Sequence, residues 1–210
     1  VTHPLPDLLA QRVIAMALGY EDLNDHDRMR HDPLLKVTAA PRSRIAGGAP
    51  LPALAGSSTL GRLERRFEEA DRRYHKFTAQ PSRLQDLYVE LFTGSYATAP
   101  ERIILDIDAT DIETHGHQRG SFFHGYYEHR CFLPLYIYCG PHLLLSKLRP
   151  GNVDGAEGAK AAIKRVVGNI RRHWPKVGIL VRGDSGFART NLMNWCEANG
   201  VDYIFGLPRN

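Results

Sequence analysis

The sequence predicts an α/β protein: a mixed sheet with flanking helices, preceded by a helical N-terminal region. Three observations carry that reading. Short apolar runs at 102–107, 177–181 and 201–207 are each bounded by polar or Gly-containing turns, as buried strands are. Helical patterns alternate with the last two runs, and strand–helix–strand with a short crossover implies parallel neighbours. Residues 1–95 hold helical patterns and no comparable strand.

Composition narrows the class before any motif is read. Apolar residues make up 43% of the 210 and charged residues 24%, as in globular proteins. No run approaches the roughly 18 apolar residues of a membrane helix, and no signal-peptide layout opens the chain. Cys131, Cys139 and Cys196 are odd in number and lack metal-ligand spacing, which fits a reducing, cytoplasmic setting. A net charge of +4 permits an acidic partner such as DNA without demanding one. Val1 in place of Met predicts a chain that starts inside a longer reading frame.

In the front region, Leu9, Val13, Ala17 and Tyr20 recur at helical spacing and predict a helix over 8–20 that Gly19 ends. The acid-rich stretch 21–30 supplies capping residues for another short helix, which Pro33 limits. Residues 38–58, rich in Ala, Gly, Pro and Ser, predict a flexible loop. Ser58 or Thr59 then caps a long amphipathic helix whose stripe is Leu60, Leu63, Phe67, Ala70, Tyr74 and Phe77. Ser82 with Gln85 resembles a capping box for a helix with Leu84, Leu87, Tyr88, Leu91 and Phe92 inward.

The run from Arg102 to Asp111 opens apolar and then admits acids. Ile104, Asp106 and Asp108 share one strand face, and Ile103, Leu105 and Ile107 the other. Two carboxylates buried on one face need a positive partner, and a divalent cation is the simplest. The polar stretch 115–120 reads as a loop, and the aromatic stretch 122–127 follows it. The histidines here, His115, His117, His124 and His129, match no common zinc spacing; with the aromatics they equally suit a nucleic-acid groove.

Cys131–Cys139 and His142–Leu148, separated by Gly140-Pro141, read as a hairpin. The next helix buries Ile163, Val166, Val167, Ile170 and Trp174. Lys160, Lys164, Arg165, Arg171 and Arg172 lie on its other side with no acid between Glu157 and Asp184, so this face is the candidate DNA contact. The strand at 177–181 runs into Arg182-Gly183-Asp184. Three antiparallel strands followed by parallel ones make the mixed sheet of the ribonuclease-H-like fold. In it Asp108 and Asp184 end strands at one edge of the sheet, where ligand sites form and where paired acids hold metals for phosphoryl transfer.

Gly19–Asp25, Leu105–Asp111, Leu148–Asn152, Arg182–Phe187 and Asp202–Pro208 together resemble the DDE transposases of bacterial insertion sequences, the group called transposase DDE domain group 1. The resemblance spans nearly the whole chain. It implies a catalytic core that cuts transposon ends and joins them to target DNA with Mg²⁺, for which Mn²⁺ can substitute. It also implies a full-length homodimer, no membrane, and a cytoplasmic, nucleoid-associated location. Asp108 matches the first acid and Asp184 the second, with Asp106 a helper or a rival for the first place. The family's third acid, a glutamate, has no match in this chain, and Glu197 lies on the wrong element. The expected organisation is a helical region over 1–95 and the first part of the catalytic domain over 96–210. Two rivals stand beside this reading: another ribonuclease-H-like nuclease, and a non-catalytic DNA-binding remnant.

Overall fold

A computed structural model describes residues 3–40, 51–64, 80–116 and 118–207. The chain divides into two compact units, 1–79 and 80–210.

In the first unit, α1 (Leu5–Ala17), α2 (His26–Met29), α3 (Pro33–Ala39) and α4 (Ser57–Glu64) surround small clusters of apolar residues. Gly19 closes α1 in a left-handed turn (φ 87°), with Tyr20 N–H donating to the Ala15 carbonyl, the Schellman arrangement. The buried face of α1 is not the apolar stripe that spacing predicts. Leu8, Gln11, Arg12 and Ala15 are buried, while Leu9 and Val13 are 48% and 59% exposed. The reason is polar: Gln11 donates to the Ala55 carbonyl (2.8 Å), accepts from the Ala55 N–H (3.1 Å) and contacts His26 Nδ1 (3.0 Å). Arg12 pairs with Glu64 and donates to the Tyr20 and Glu21 carbonyls. Leu54 and Ala55, inside the expected loop, are buried. The predicted stripe beyond Leu63 falls on 65–79, outside the described residues.

The second unit begins with α5 (Pro81–Gly94). Its first turn carries Pro81 and no side-chain cap, so the Ser82 capping box does not form. Val89, Phe92 and Thr93 are buried, whereas Leu84 and Leu91 are 54% and 64% exposed. This helix packs on the second unit's sheet and on its longest helix, although the sequence groups it with the helical front.

The strands are β1 (Arg102–Ala109), β2 (Ile112–Glu113), β3 (Phe122–His124), β4 (His129–Phe132), β5 (Leu135–Cys139), β6 (His142–Lys147), β7 (Gly178–Gly183) and β8 (Asp202–Phe205). The main sheet has the order β6-β5-β1-β7-β8. β1 is antiparallel to β5 and parallel to β7, and β7 is parallel to β8. With its flanking helices this is the ribonuclease-H-like layout. Helices α6 (Ala159–His173) and α7 (Thr190–Ala198) join β6 to β7 and β7 to β8. Both crossovers step the same way across the sheet, so right-handedness puts both helices on one face. Ile103, Leu105 and Ile107 of β1 pack there with Ile163, Val167 and Leu192. On the other face Ile104 and Ile204 are 40% and 57% exposed.

On either side of the polar loop 115–120, and unpredicted by spacing, short strands form a second sheet of order β2-β4-β3. It is inserted between β1 and β5, and splits what spacing reads as one run, Cys131–Cys139. Ala109 and Leu135, at the insert's two ends, are register partners, so the insert leaves and rejoins the main sheet at the same edge. Gly151 seats it: a Cβ there would lie 2.1 Å from the Cys131 carbonyl oxygen and 2.9 Å from that of Phe122.

Candidate active site

Parallel register pairs Leu105 with Val181 and Asp106 with Arg182. Two residues further along both strands come Asp108 and Asp184. The two acids therefore end neighbouring strands at one edge, and strands in a sheet lie about 4.8 Å apart. α6 and α7 both begin at this edge, and the insert is mounted on it.

Each acid has a distinct setting. Asp108 is exposed and makes no hydrogen bond or ion pair among the described residues. Asp184 caps the short 3₁₀ turn Ser185–Phe187, its Oδ1 accepting from the Gly186 N–H at 2.8 Å; Oδ2 meets no donor among the described residues. Asp106 is committed elsewhere. Arg182 Nε and Nη2 donate to its two oxygens at 2.6 and 3.0 Å, a bidentate pair. The expected burial of Asp106 and Asp108 does not occur, because their face of β1 is the open one.

Close approach holds the Asp184 turn in place. A Cβ on Gly206 would lie 2.9 Å from the Ser185 nitrogen, and one on Gly183 would lie 3.0 Å from Ile107. Behind the edge, buried Arg149 donates to the carbonyls of Leu133 (2.7 Å), Gly155 (3.1 Å) and Glu157 (2.7 Å). Burial lowers the pKa of this guanidinium. Arg149 thus fastens the return of the insert to the loop that leads into α6. Arg189 pairs with Asp154 of that loop at 2.8 Å.

The insert brings a third acid, Asp111, to the same edge, bonded to His129 Nε2 at 2.6 Å. Tyr127 stacks on His129 with ring centroids 6.1 Å apart. Burial, then the charges of Asp111 and Asp108, raises the Tyr127 hydroxyl above its usual pKa of 10.0. Among the described residues no three His, Cys, Asp or Glu side chains converge as a metal cluster; His117 lies outside those residues.

The basic residues of α6 separate into two groups. Lys160, Lys164 and Arg172 are exposed. Arg165 pairs with Asp86 at 2.8 Å and donates to the Ser82 carbonyl at 2.7 Å. Arg171 donates to the carbonyls of Asn199 and Gly200 at 2.7 and 2.8 Å, ending α7. These two are tied into the fold. Glu197 accepts from the Tyr203 hydroxyl at 2.7 Å, away from the acid edge.

The sequence model of the family described as transposase DDE domain group 1 matches residues 1–210. The chain belongs to that family. No curated protein matches it. Among solved structures, this DDE transposase family member is similar to the catalytic domain of Mos1 mariner transposase, at 11% identity and TM-score 0.38, covering 64% of this chain and 63% of that one. It is also similar to the Mos1 mariner paired end complex with Mn, at 10% identity and TM-score 0.36, covering 97% and 73%. The chain thus spans less than two thirds of the first of these. Both similarities are low, and membership rests on the sequence match.

Sequence reasoning overlooked Arg182, Arg149, Tyr127 and Arg189. Only Arg182 had a readable signal: parallel pairing of the two apolar runs puts it beside Asp106. Among the described residues no helix is long and apolar enough to cross a membrane.

Proposed function

We propose that this chain is the DNA-handling and acid-bearing part of a DDE transposase from a bacterial insertion sequence, cutting transposon ends and joining them to target DNA. The observation that carries the reading is the register that sets Asp108 beside Asp184, each with carboxylate oxygen left uncommitted.

The donor set fits a hard divalent cation, because both acids offer charged oxygen at adjacent strand ends. Held by Asp108 and Asp184, Mg²⁺ or Mn²⁺ would supply Lewis-acid activation of the attacking oxygen and stabilise charge at the scissile phosphate. The chain's own residues prepare that place. The Gly186 N–H fixes the Asp184 carboxylate, so its free oxygen has one orientation. Arg182 neutralises Asp106, removing a third negative charge from the layer directly below and easing the approach of an anionic phosphate. Lys160, Lys164 and Arg172 supply the phosphate contacts that position DNA. Asp108 is assigned as the first acid because Asp106 is held by Arg182. We assign no residue of this chain as the third acid.

Pairing of two copies and work on nucleoid DNA belong to this proposal, with family membership as their support; sizing of the DNA complex tests the pairing. The central test is Mn²⁺ binding followed by electron paramagnetic resonance. Asp108→Ala and Asp184→Ala should each remove the bound signal, and its survival in both variants would sink the assignment. With two acids the chain alone should bind DNA without nicking it. Nicking that Asp184→Ala abolishes would place a third acid within these 210 residues.

A further inference from the structure

The insert between β1 and β5, which leaves and rejoins the main sheet beside Asp108, exposes aromatic rings. Phe122, Phe123 and Tyr126 are 42%, 61% and 83% exposed. Phe122 and Phe123 are consecutive in β3 and face opposite sides of the small sheet, so Phe123 and Tyr126, the two most exposed, are the rings this hairpin offers. The hairpin is held firmly. β3 and β4 pair Phe123 with Arg130 and His124 with His129, and close approach of Gly151 seats both strands. Rings then lead outward from the acid edge. His129 bonds Asp111 at 2.6 Å, Tyr127 lies over His129 at 28° between planes, and Tyr126 meets Tyr127 edge-on at 5.1 Å.

Charge decides what this hairpin can receive. Residues 110–134 carry three acids (Asp111, Glu113 and Glu128) against two arginines (Arg119 and Arg130). Arg130 also donates to the Ser121 carbonyl inside the insert. Such a surface does not favour phosphate. It suits uncharged, flat groups close to a phosphate path, and in DNA those are the base faces. A strand opened for cutting has bases that have lost their stacking partners, and exposed rings restore it whatever the sequence.

We propose that Phe123 and Tyr126 form a stacking platform for unpaired bases of the DNA strand that passes the Asp108–Asp184 edge. The proposal rests on the transposase reading and names the form of DNA that this edge selects. Backbone affinity comes from the lysines and arginine of α6, and the hairpin adds preference for opened bases.

The test compares a blunt duplex with one bearing a short single-stranded tail that contains 2-aminopurine. Binding of each to the 210-residue chain is followed by anisotropy and base fluorescence. The chain should favour the tailed duplex and quench the probe. Phe123→Ala and Tyr126→Ala should each cut tailed-duplex affinity about ten-fold, sparing the blunt duplex and the log–log salt slope, because no phosphate contact is lost. Phe123→Tyr and Tyr126→Phe should behave as the parent chain. Equal affinity of the parent chain for both duplexes would overturn the platform, as would alanine variants that weaken both duplexes alike or lower the slope. Failure to bind either duplex would overturn the transposase reading together with the platform.

Discussion

Arg182 holds Asp106 through two hydrogen bonds of 2.6 and 3.0 Å, one layer below the paired strand ends that carry Asp108 and Asp184. Both side chains stand on the open face of the sheet, and the bond joins two strands 76 residues apart in sequence. It separates Asp106 from the other two acids in role. Asp106→Asn should leave Mn²⁺ binding within about two-fold of the parent chain, whereas Asp108→Ala should abolish it. Equal losses in the two variants would return Asp106 to the metal set.

If Asp108 and Asp184 alone hold the cation, the proposed site should be weak, with affinity of about millimolar order. Mg²⁺ at roughly twice its dissociation constant stabilises by only about 0.6 kcal/mol. Thermal melts with and without Mg²⁺ should therefore shift by only a few degrees. Asp184→Ala should remove the shift; a large shift that survives it would locate the metal elsewhere.

The basic side of α6 should divide under mutation. Lys160→Glu, Lys164→Glu and Arg172→Glu should weaken DNA binding, with each lost phosphate contact lowering the log–log salt slope by about 0.9. Arg165→Ala and Arg171→Ala should instead cost about 1 kcal/mol of stability, because each breaks bonds that tie helices together. Urea melts beside salt titrations of DNA binding distinguish the two groups.

His26 makes the helical unit acid-sensitive. Burial first, and then the charge of Arg12, lowers its pKa below the ordinary 6.5. Between the lowered folded value and 6.5 the unfolded chain takes up a proton that the folded chain refuses, so stability falls as pH drops through that window. Above 6.5 the effect vanishes. Urea melts should show this loss as pH falls below 6.5, flattened in His26→Gln; an unchanged acid limb in that variant would assign the sensitivity to another group.

Gly151→Ala should lower stability by about 3 kcal/mol, since its methyl group would collide with two backbone carbonyls that cannot yield independently. Hydrogen exchange should show the loss centred on β3 and β4, whereas uniform loss across the unit would assign Gly151 to the main core.

The main sheet was legible because its strands follow period and length rules that survive without context. The apolar runs of β1 and β7 and the stripe of α6 fall where spacing puts them, and all five residues of that stripe are buried. The insert was not legible. β2 and β3 span two and three residues, and none of their side chains is buried. Too short and exposed to leave a periodic pattern, they exist through pairing with β4 and seating against Gly151. Helix faces failed for a related reason: α1 buries Gln11 and Arg12 because partners distant in sequence satisfy them, and periodicity counts only apolar residues.

The sequence by itself determined the family, the succession of β1, α6, β7, α7 and β8, and which two acids end neighbouring strands, since all three follow from local pattern and residue identity. Tertiary structure alone decided that Arg165 and Arg171 serve the fold, and it closed the bidentate Arg182–Asp106 pair that strand pairing only brings within reach. It also decided that Tyr127 of the insert stands near Asp111 and Asp108. Each of these depends on which side chain a register or crossover brings within bonding distance, and that is set by the packing of elements far apart in the chain.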